Sequence, residues 1–357
     1  MKNIISAIVL SACAAAYGVD IKSGGNYVGT HYFYNESETV EKSIDGSVEG
    51  YPQPDWVKIN YSKSESPISI VVKNGVNVSA TNTILIYGSK TSISFEGNNS
   101  IKASSFSLGY GSSLYAKDAI FNVSSFDLAG SGSNKAVIVG GTFNAGRLNV
   151  GENSSIVFDG TTGKIDSVCK RGAVSGGEEF SFDMTLKNGA SMEITPAYLG
   201  AMCSNLYIES GSSLTIGSKL NTGTDVVVGA GSSITVNGTL RTTKTLTVAS
   251  DASVSAGDVS FEKLTITFEE DFQENTDINI DLASIFGSNA TIVASALESG
   301  KEFTITGNDG KEYNASYSSD SGSGLIHIGP QVPEPSTYAL VLGVIAMALA
   351  AYRRSKK

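Results

Sequence analysis

The side chains able to do chemistry are few in this chain, and they are scattered. His31 and His327, the only two histidines, stand near opposite ends. No Cys/His cluster and no HExxH spacing exists, so zinc chemistry has no support. Neither histidine lies near a strand–turn–helix Ser elbow, so a Ser-His-Asp triad has none either. His327 sits between Ile326 and Ile328, the pattern of an outward position on a strand. The densest charges are Asp159, Asp166, Glu178, Glu179 and Asp183, among Lys164, Lys170 and Arg171. Two carboxylates at a defined separation could hydrolyse a glycosidic bond, so a grafted site belongs here if anywhere. A solvated loop explains the same residues. Glu269-Glu270-Asp271 suits a calcium ion or, more simply, a charged exit from a strand. The expectation is no catalytic residue, no cofactor and no metal site: the chain is not an enzyme.

The elements that carry these residues read as strands. The chain has 39 Gly, 17% charged and 8% aromatic residues, with short Val/Ile/Leu alternations bounded by Gly-Ser or Asn-Gly. Net charge is −10, and basic residues cluster at the C-terminus, which argues against nucleic acid as a partner.

From 206 to 260 the sequence repeats every 20 residues. Leu206-Tyr207-Ile208, Val226-Val227-Val228 and Leu246-Thr247-Val248 are equivalent strands. Each leads through a small or polar turn to a second strand, Leu214-Thr215-Ile216, Ile234-Thr235-Val236 or Val254-Ser255-Ala256. Looser copies begin at Ile84, Phe106, Leu148 and Met184. A period near 20 with several short strands per copy predicts stacked coils, an all-β, right-handed β-solenoid over 67–268. One coil cannot cover its own apolar edge; stacking pairs its backbone and buries an aliphatic ladder. The glycines Gly160, Gly163, Gly172, Gly176 and Gly177 predict a broken coil or protruding loop over 159–181. A β-sandwich is the alternative fold. Thr215, Thr235 and Ser255 align, as do Thr222 and Thr242, a short rank for the regular Thr array that ice binding needs.

The flanks read as caps on the open ends of a solenoid. Residues 19–66, with Trp56 and many Tyr, form the N-terminal cap, although the same aromatics could stack on sugar rings. Residues 269–329 form a C-terminal β cap: a strand at Ile278–Ile280, a helical turn from Leu282 to Phe286, and a hairpin about Asn308-Asp309-Gly310. Cys169 and Cys203 are candidates for one disulfide, or for two free thiols.

Both termini point to export. Met1-Lys2-Asn3 and the apolar run Ile4 to Ala16 read as a signal peptide over 1–18, cleaved after Ala16 or Gly18. Leu10-Ser11-Ala12-Cys13 offers a competing lipoprotein reading. Residues 330–357 hold Val332-Pro333-Glu334-Pro335, an apolar run from Tyr338 to Tyr352, and the cationic stop Arg353, Arg354, Lys356 and Lys357. The prolines fix an extended segment, the run is a short transmembrane helix, and the cations hold its end in the cytoplasm.

This tail resembles the PEP-CTERM sorting signal of bacterial envelope proteins, a region also classed as an ice-binding-protein C-terminal region. The resemblance implies recognition of Pro333-Glu334-Pro335 by an exosortase-type processing enzyme. The hydrophobic helix and basic tail would then be removed after transient residence in the inner membrane. By architecture the body resembles autotransporter-passenger β-helices. The resulting expectation is an exported structural or adhesin-like protein of the cell surface or extracellular matrix of a Gram-negative-type bacterium, with extracellular polysaccharide a further partner. A carbohydrate-binding or polysaccharide-degrading β-helix is the alternative, and ice binding a minor one.

Overall fold

The computed structural model describes residues 17–21, 26–28, 31–33, 56–59, 68–72, 77–87, 91–128, 132–170, 182–195, 205–222, 225–320 and 323–331. It is an all-β solenoid with coils of about 21 residues. Parallel strands stack into a 15-stranded and a 14-stranded sheet. The 20-residue frame lies where the repeat predicts it. Leu206 pairs with Val226 and Val226 with Leu246 in the first sheet. Leu214, Ile234 and Val254 pair likewise in the second.

Each full coil has three apolar arms. In strand Ser100–Gly109, Ile101 and Ala103 point inward, the alternation slips at Ser104-Ser105, and Phe106 and Leu108 point inward again. A phase slip of this kind is what a bend requires, because side chains otherwise alternate strictly. The second sheet therefore supplies two arms of every such coil and the first sheet supplies the third. Across the first sheet the inward column runs Ile93, Leu114, Ala136, Ile156, Met184, Leu206, Val226, Leu246, Leu264 and Phe303, all buried and in register.

The looser copies at Ile84, Phe106 and Leu148 occupy a different corner from the regular ones, whereas the copy at Met184 shares theirs. Phe106–Leu108 and Leu148–Val150 are second-sheet arms that turn into the first sheet. Leu206–Ile208 is a first-sheet arm that turns into the second. The two corners share one local chemistry, strand, Gly or Asn with Ser, strand, so spacing alone cannot tell them apart. The corner serines also do more than relax the backbone. Ser112, Ser154, Ser212 and Ser232 are buried. Ser112 Oγ donates to the Ile86 carbonyl (3.2 Å) and Ser154 Oγ to that of Leu128 (2.9 Å). These last two hydroxyls each meet a carbonyl of the coil before them.

Two expectations are refined. The coil over 159–170 is regular, Thr162–Ile165 pairing with Thr142–Ala145. The extra length comes later, because Thr162 next pairs with Ser191, 29 residues on. The described strands of the 19–66 flank run parallel and extend both sheets. Val57 and Ile59 pair with Ile84 and Ile86. At the other end the antiparallel cap is present. Strand Glu302–Thr306 pairs parallel with Lys263–Thr267 on one side and antiparallel with Glu312–Asp320 on the other. Ser323–Gln331 and Asp277–Ile280 complete it.

Helix α1 (Leu282–Phe286) begins at Asp281, whose side chain accepts from the Ala283 N–H, and stops at Gly287 with φ 54°. Helix α2 (Ala290–Glu298) was not legible, since its Thr, Ile and Val read as strand. It forms because Val293 and Leu297, four apart, bury together against the cap. Asn289 anchors its start, donating to the Ala256 carbonyl at 2.7 Å.

Among the described residues no helix is long and apolar enough to cross a membrane. The predicted span Tyr338–Tyr352, the motif Val332–Pro335 and the stop Arg353–Lys357 lie outside the described residues, as do the leader over 1–16 and Trp56's surroundings.

Candidate functional site

Among the described residues the predicted acidic cluster is spread over two sheets. Asp159 closes a first-sheet strand, where Lys187 (3.2 Å) and Asn188 (2.7 Å) hold its carboxylate. Asp183, on the same sheet, accepts from Asn205 at 2.8 Å. Asp166 lies instead at the bend of the second sheet. Glu178, Glu179 and Arg171 lie outside the described residues. The Glu269-Glu270-Asp271 turn is tied to the hairpin, Asp271 Oδ1 accepting from the Asp309 N–H at 2.9 Å. His327 is an exposed outward residue, with Nδ1 2.7 Å from Asp277 Oδ1. Cys169 is a half-buried free thiol on strand Val168–Lys170, and Cys203 lies outside the described residues.

What the fold does assemble is a groove along the bend of the second sheet, with a volume of about 640 Å³. Its rim is a single outward column, one residue from each coil: Lys102 pairs with Asn122, Asn122 with Asn144, and Asn144 with Lys164. Rungs about 4.8 Å apart set the two lysine positions roughly 14 Å apart along the axis. Ala103, Val123 and Ala145, each just short of fully buried, give it a shallow apolar floor. Gly146 forms part of the bend because a Cβ there would come within 2.8 Å of the Ser124 carbonyl oxygen.

The polar groups in the groove are incompletely used. Asn144 Nδ2 donates to Asn122 Oδ1 at 3.0 Å. The other half of each amide, a donor on Asn122 and an acceptor on Asn144, makes no hydrogen bond among the described residues. Lys102 has no ion-pair partner among them. Lys164 lies 3.9 Å from Asp166 and 3.7 Å from Glu193, loose contacts between groups about half exposed. Such pairs contribute little and exchange readily for another anion.

Across the bend a second polar set is fully satisfied. Asp127 points away from the core and is still buried. Its carboxylate accepts from Ser105 (2.9 Å), Ser125 (2.8 Å) and the Asn149 amide. These residues tie three successive rungs together, and a carboxylate so occupied holds structure in place. It is not poised as a base.

The sequence carried a signal for the groove, a polar residue recurring at 102, 122, 144 and 164, but it is visible only after the coils are framed. No family model, curated protein or solved structure matches the chain, so its place among known proteins rests on the β-solenoid architecture and on this groove.

Proposed function

We propose that the chain is an exported, non-enzymatic protein of the bacterial envelope or extracellular matrix. Its solenoid serves as a rigid spacer or adhesin, and its tail is the substrate of an exosortase-type enzyme. The observation that carries the sorting reading is the order of the tail: Val332-Pro333-Glu334-Pro335, the apolar run Tyr338–Tyr352, then Arg353, Arg354, Lys356 and Lys357. The body supports the spacer role. Its interior is a continuous column of buried side chains, and the corner hydroxyls of Ser112 and Ser154 are spent on neighbouring coils. The strand Tyr17–Ile21 pairs with Ile68–Val72, so cleavage after Ala16 keeps that rung whole, whereas cleavage after Gly18 removes two of its residues.

Intact-mass and terminal-peptide analysis of protein recovered from its native host tests this reading. We expect an N-terminus at Tyr17 and loss of everything beyond the Pro333–Pro335 region. A C-terminus at Lys357 in the mature protein would refute exosortase processing, and an unprocessed Met1 would refute export by a cleaved leader.

A further inference from the structure

We propose that the groove along the second-sheet bend binds an extended anionic glycan lying parallel to the solenoid axis. The acidic groups of the glycan meet Lys102 and Lys164, and its hydroxyls meet the Asn122–Asn144 amide pair. The proposal rests on the reading above only in placing the solenoid outside the cell, and its test is independent of tail processing.

Four observations converge on this class of ligand. The groove is long and axial, so it suits a linear polymer better than a compact metabolite. Its volume, about 640 Å³, lies in the range of ligand sites. Its two cations are available, Lys102 having no ion partner among the described residues and Lys164 only loose ones. Between them the amide pair offers one open donor and one open acceptor, the complement of a sugar hydroxyl, which both gives and accepts a hydrogen bond.

The local charge is less negative than that of the chain as a whole: from Lys102 to Asp166 five basic residues balance five acids, one of which, Asp166, lines the groove, whereas the whole chain carries −10.

Other polymers fit less well. The groove has no aromatic side chain in its lining, so a single-stranded nucleic acid would find no stacking platform. The backbone beneath it is already paired on both sides in the parallel sheet, so a peptide strand would find no edge to extend.

The test uses the purified full-length chain and alginate oligomers free of divalent cations, with dextran as the neutral control. Binding is expected to weaken as salt rises, and dextran is expected not to bind. Lys102→Gln with Lys164→Gln should weaken alginate binding at least tenfold and flatten its salt dependence. Asn122→Ala with Asn144→Ala should weaken it several-fold and leave the salt dependence unchanged. The pair Lys135→Gln with Lys219→Gln, away from the groove, should bind as the parent does. Absence of alginate binding, equal binding of dextran, or an equal loss in the two lysine pairs would each overturn the proposal.

Discussion

From Ser100 to Ile165 the outward column beside the bend reads Lys102, Asn122, Asn144, Lys164; from Ser213 to Ser260 the same column reads Thr215, Thr235, Ser255. The interiors differ in parallel. The first region is filled by rings. Phe106 stacks on Phe126 with centroids 5.2 Å apart, and Phe143 lies 5.0 Å from Phe126 and 5.2 Å from Phe158. The second holds no ring between Ser213 and Ser260: its inward columns are mainly Leu, Ile and Val, with Thr242 and Ala256 closing two of them. One backbone thus accepts two packing schemes. Equal aliphatic rungs make each coil interchangeable with the next. Bulky rings need compensation nearby, which Ala116, Ala136 and Gly163 supply, and so each coil becomes particular. A rank of small hydroxyls accompanies the interchangeable coils and a groove of long polar side chains accompanies the particular ones.

Deleting a ring sharpens this contrast most. Phe143→Ala should cost about 3–5 kcal/mol, because Phe121, Phe126 and Phe158 all lose a partner, whereas Leu246→Ala should fall in the lower part of the about 2–5 kcal/mol range for aliphatic truncations. Urea unfolding followed by regional hydrogen exchange measures both. Equal costs, or a larger one at Leu246, would remove the distinction between the two cores.

Adding one methyl group comes next. Gly163 stands in the inward column between Phe143 and Met192, and a Cβ there would overlap the Phe143 carbonyl. Gly163→Ala should therefore destabilise by about 1–3 kcal/mol, the usual cost of overpacking. Gly189→Ala is the control for a glycine with open space, where only the backbone at φ 75° is strained. A thermal midpoint unchanged in Gly163→Ala would show that the rung can shift to make room.

The smallest effect tests the junction between coil and cap. Lys263 Nζ lies 2.5 Å from Glu312 and 3.3 Å from Glu302. Burial pushes the Glu312 carboxyl upward, but hydrogen bonds from Lys263 and Thr304 with the Lys263 charge outweigh it and hold the group below its ordinary value. Burial likewise pushes Lys263 down, and its two carboxylate partners outweigh that and raise it. A depressed acid contributes stability above its unfolded pKa and loses it as pH falls through the folded value. A raised base contributes below its unfolded pKa and loses it as pH rises through the folded value. The clamp should thus be fully present between roughly pH 5 and pH 10 and weaken outside that window. Both groups are partly solvated, so the contribution is at most about 1 kcal/mol. The protection of amides in residues 302–331, after correction for the intrinsic pH dependence of exchange, should fall at pH 3 in the parent, and Glu312→Gln should remove that loss. An identical pH profile in the variant would assign the acid response elsewhere.

The regular coils were legible because Leu206, Val226 and Leu246 recur with identical flanks, so spacing and chemistry agreed. Upstream, Phe106 and Leu148 gave the right local motif at the other corner, since both corners are built from Gly, Asn and Ser between apolar strands. The cap strands and α1 were readable from local signals, Asn308-Asp309-Gly310 and Gly287, whereas α2 was hidden by β-branched residues whose partners lie across the cap. The groove escaped notice for a further reason. Lys102, Asn122, Asn144 and Lys164 are neighbours only through the stacking of four coils, so proximity in sequence reached only Lys164 and Asp166 of the groove and joined them to Asp159, which lies on the other sheet.

The direction of the hydrogen bonds has a mechanical meaning. In a stack of parallel rungs they run along the long axis, so a pull applied between the two ends loads one rung at a time. The rod should therefore yield as a series of fuses and not as a single block. Each coil of about 21 residues stores about 70 Å of extended chain within one rung of about 4.8 Å. A molecule built in this way could lengthen many-fold under tension and surrender its coils in sequence while those behind them stay folded.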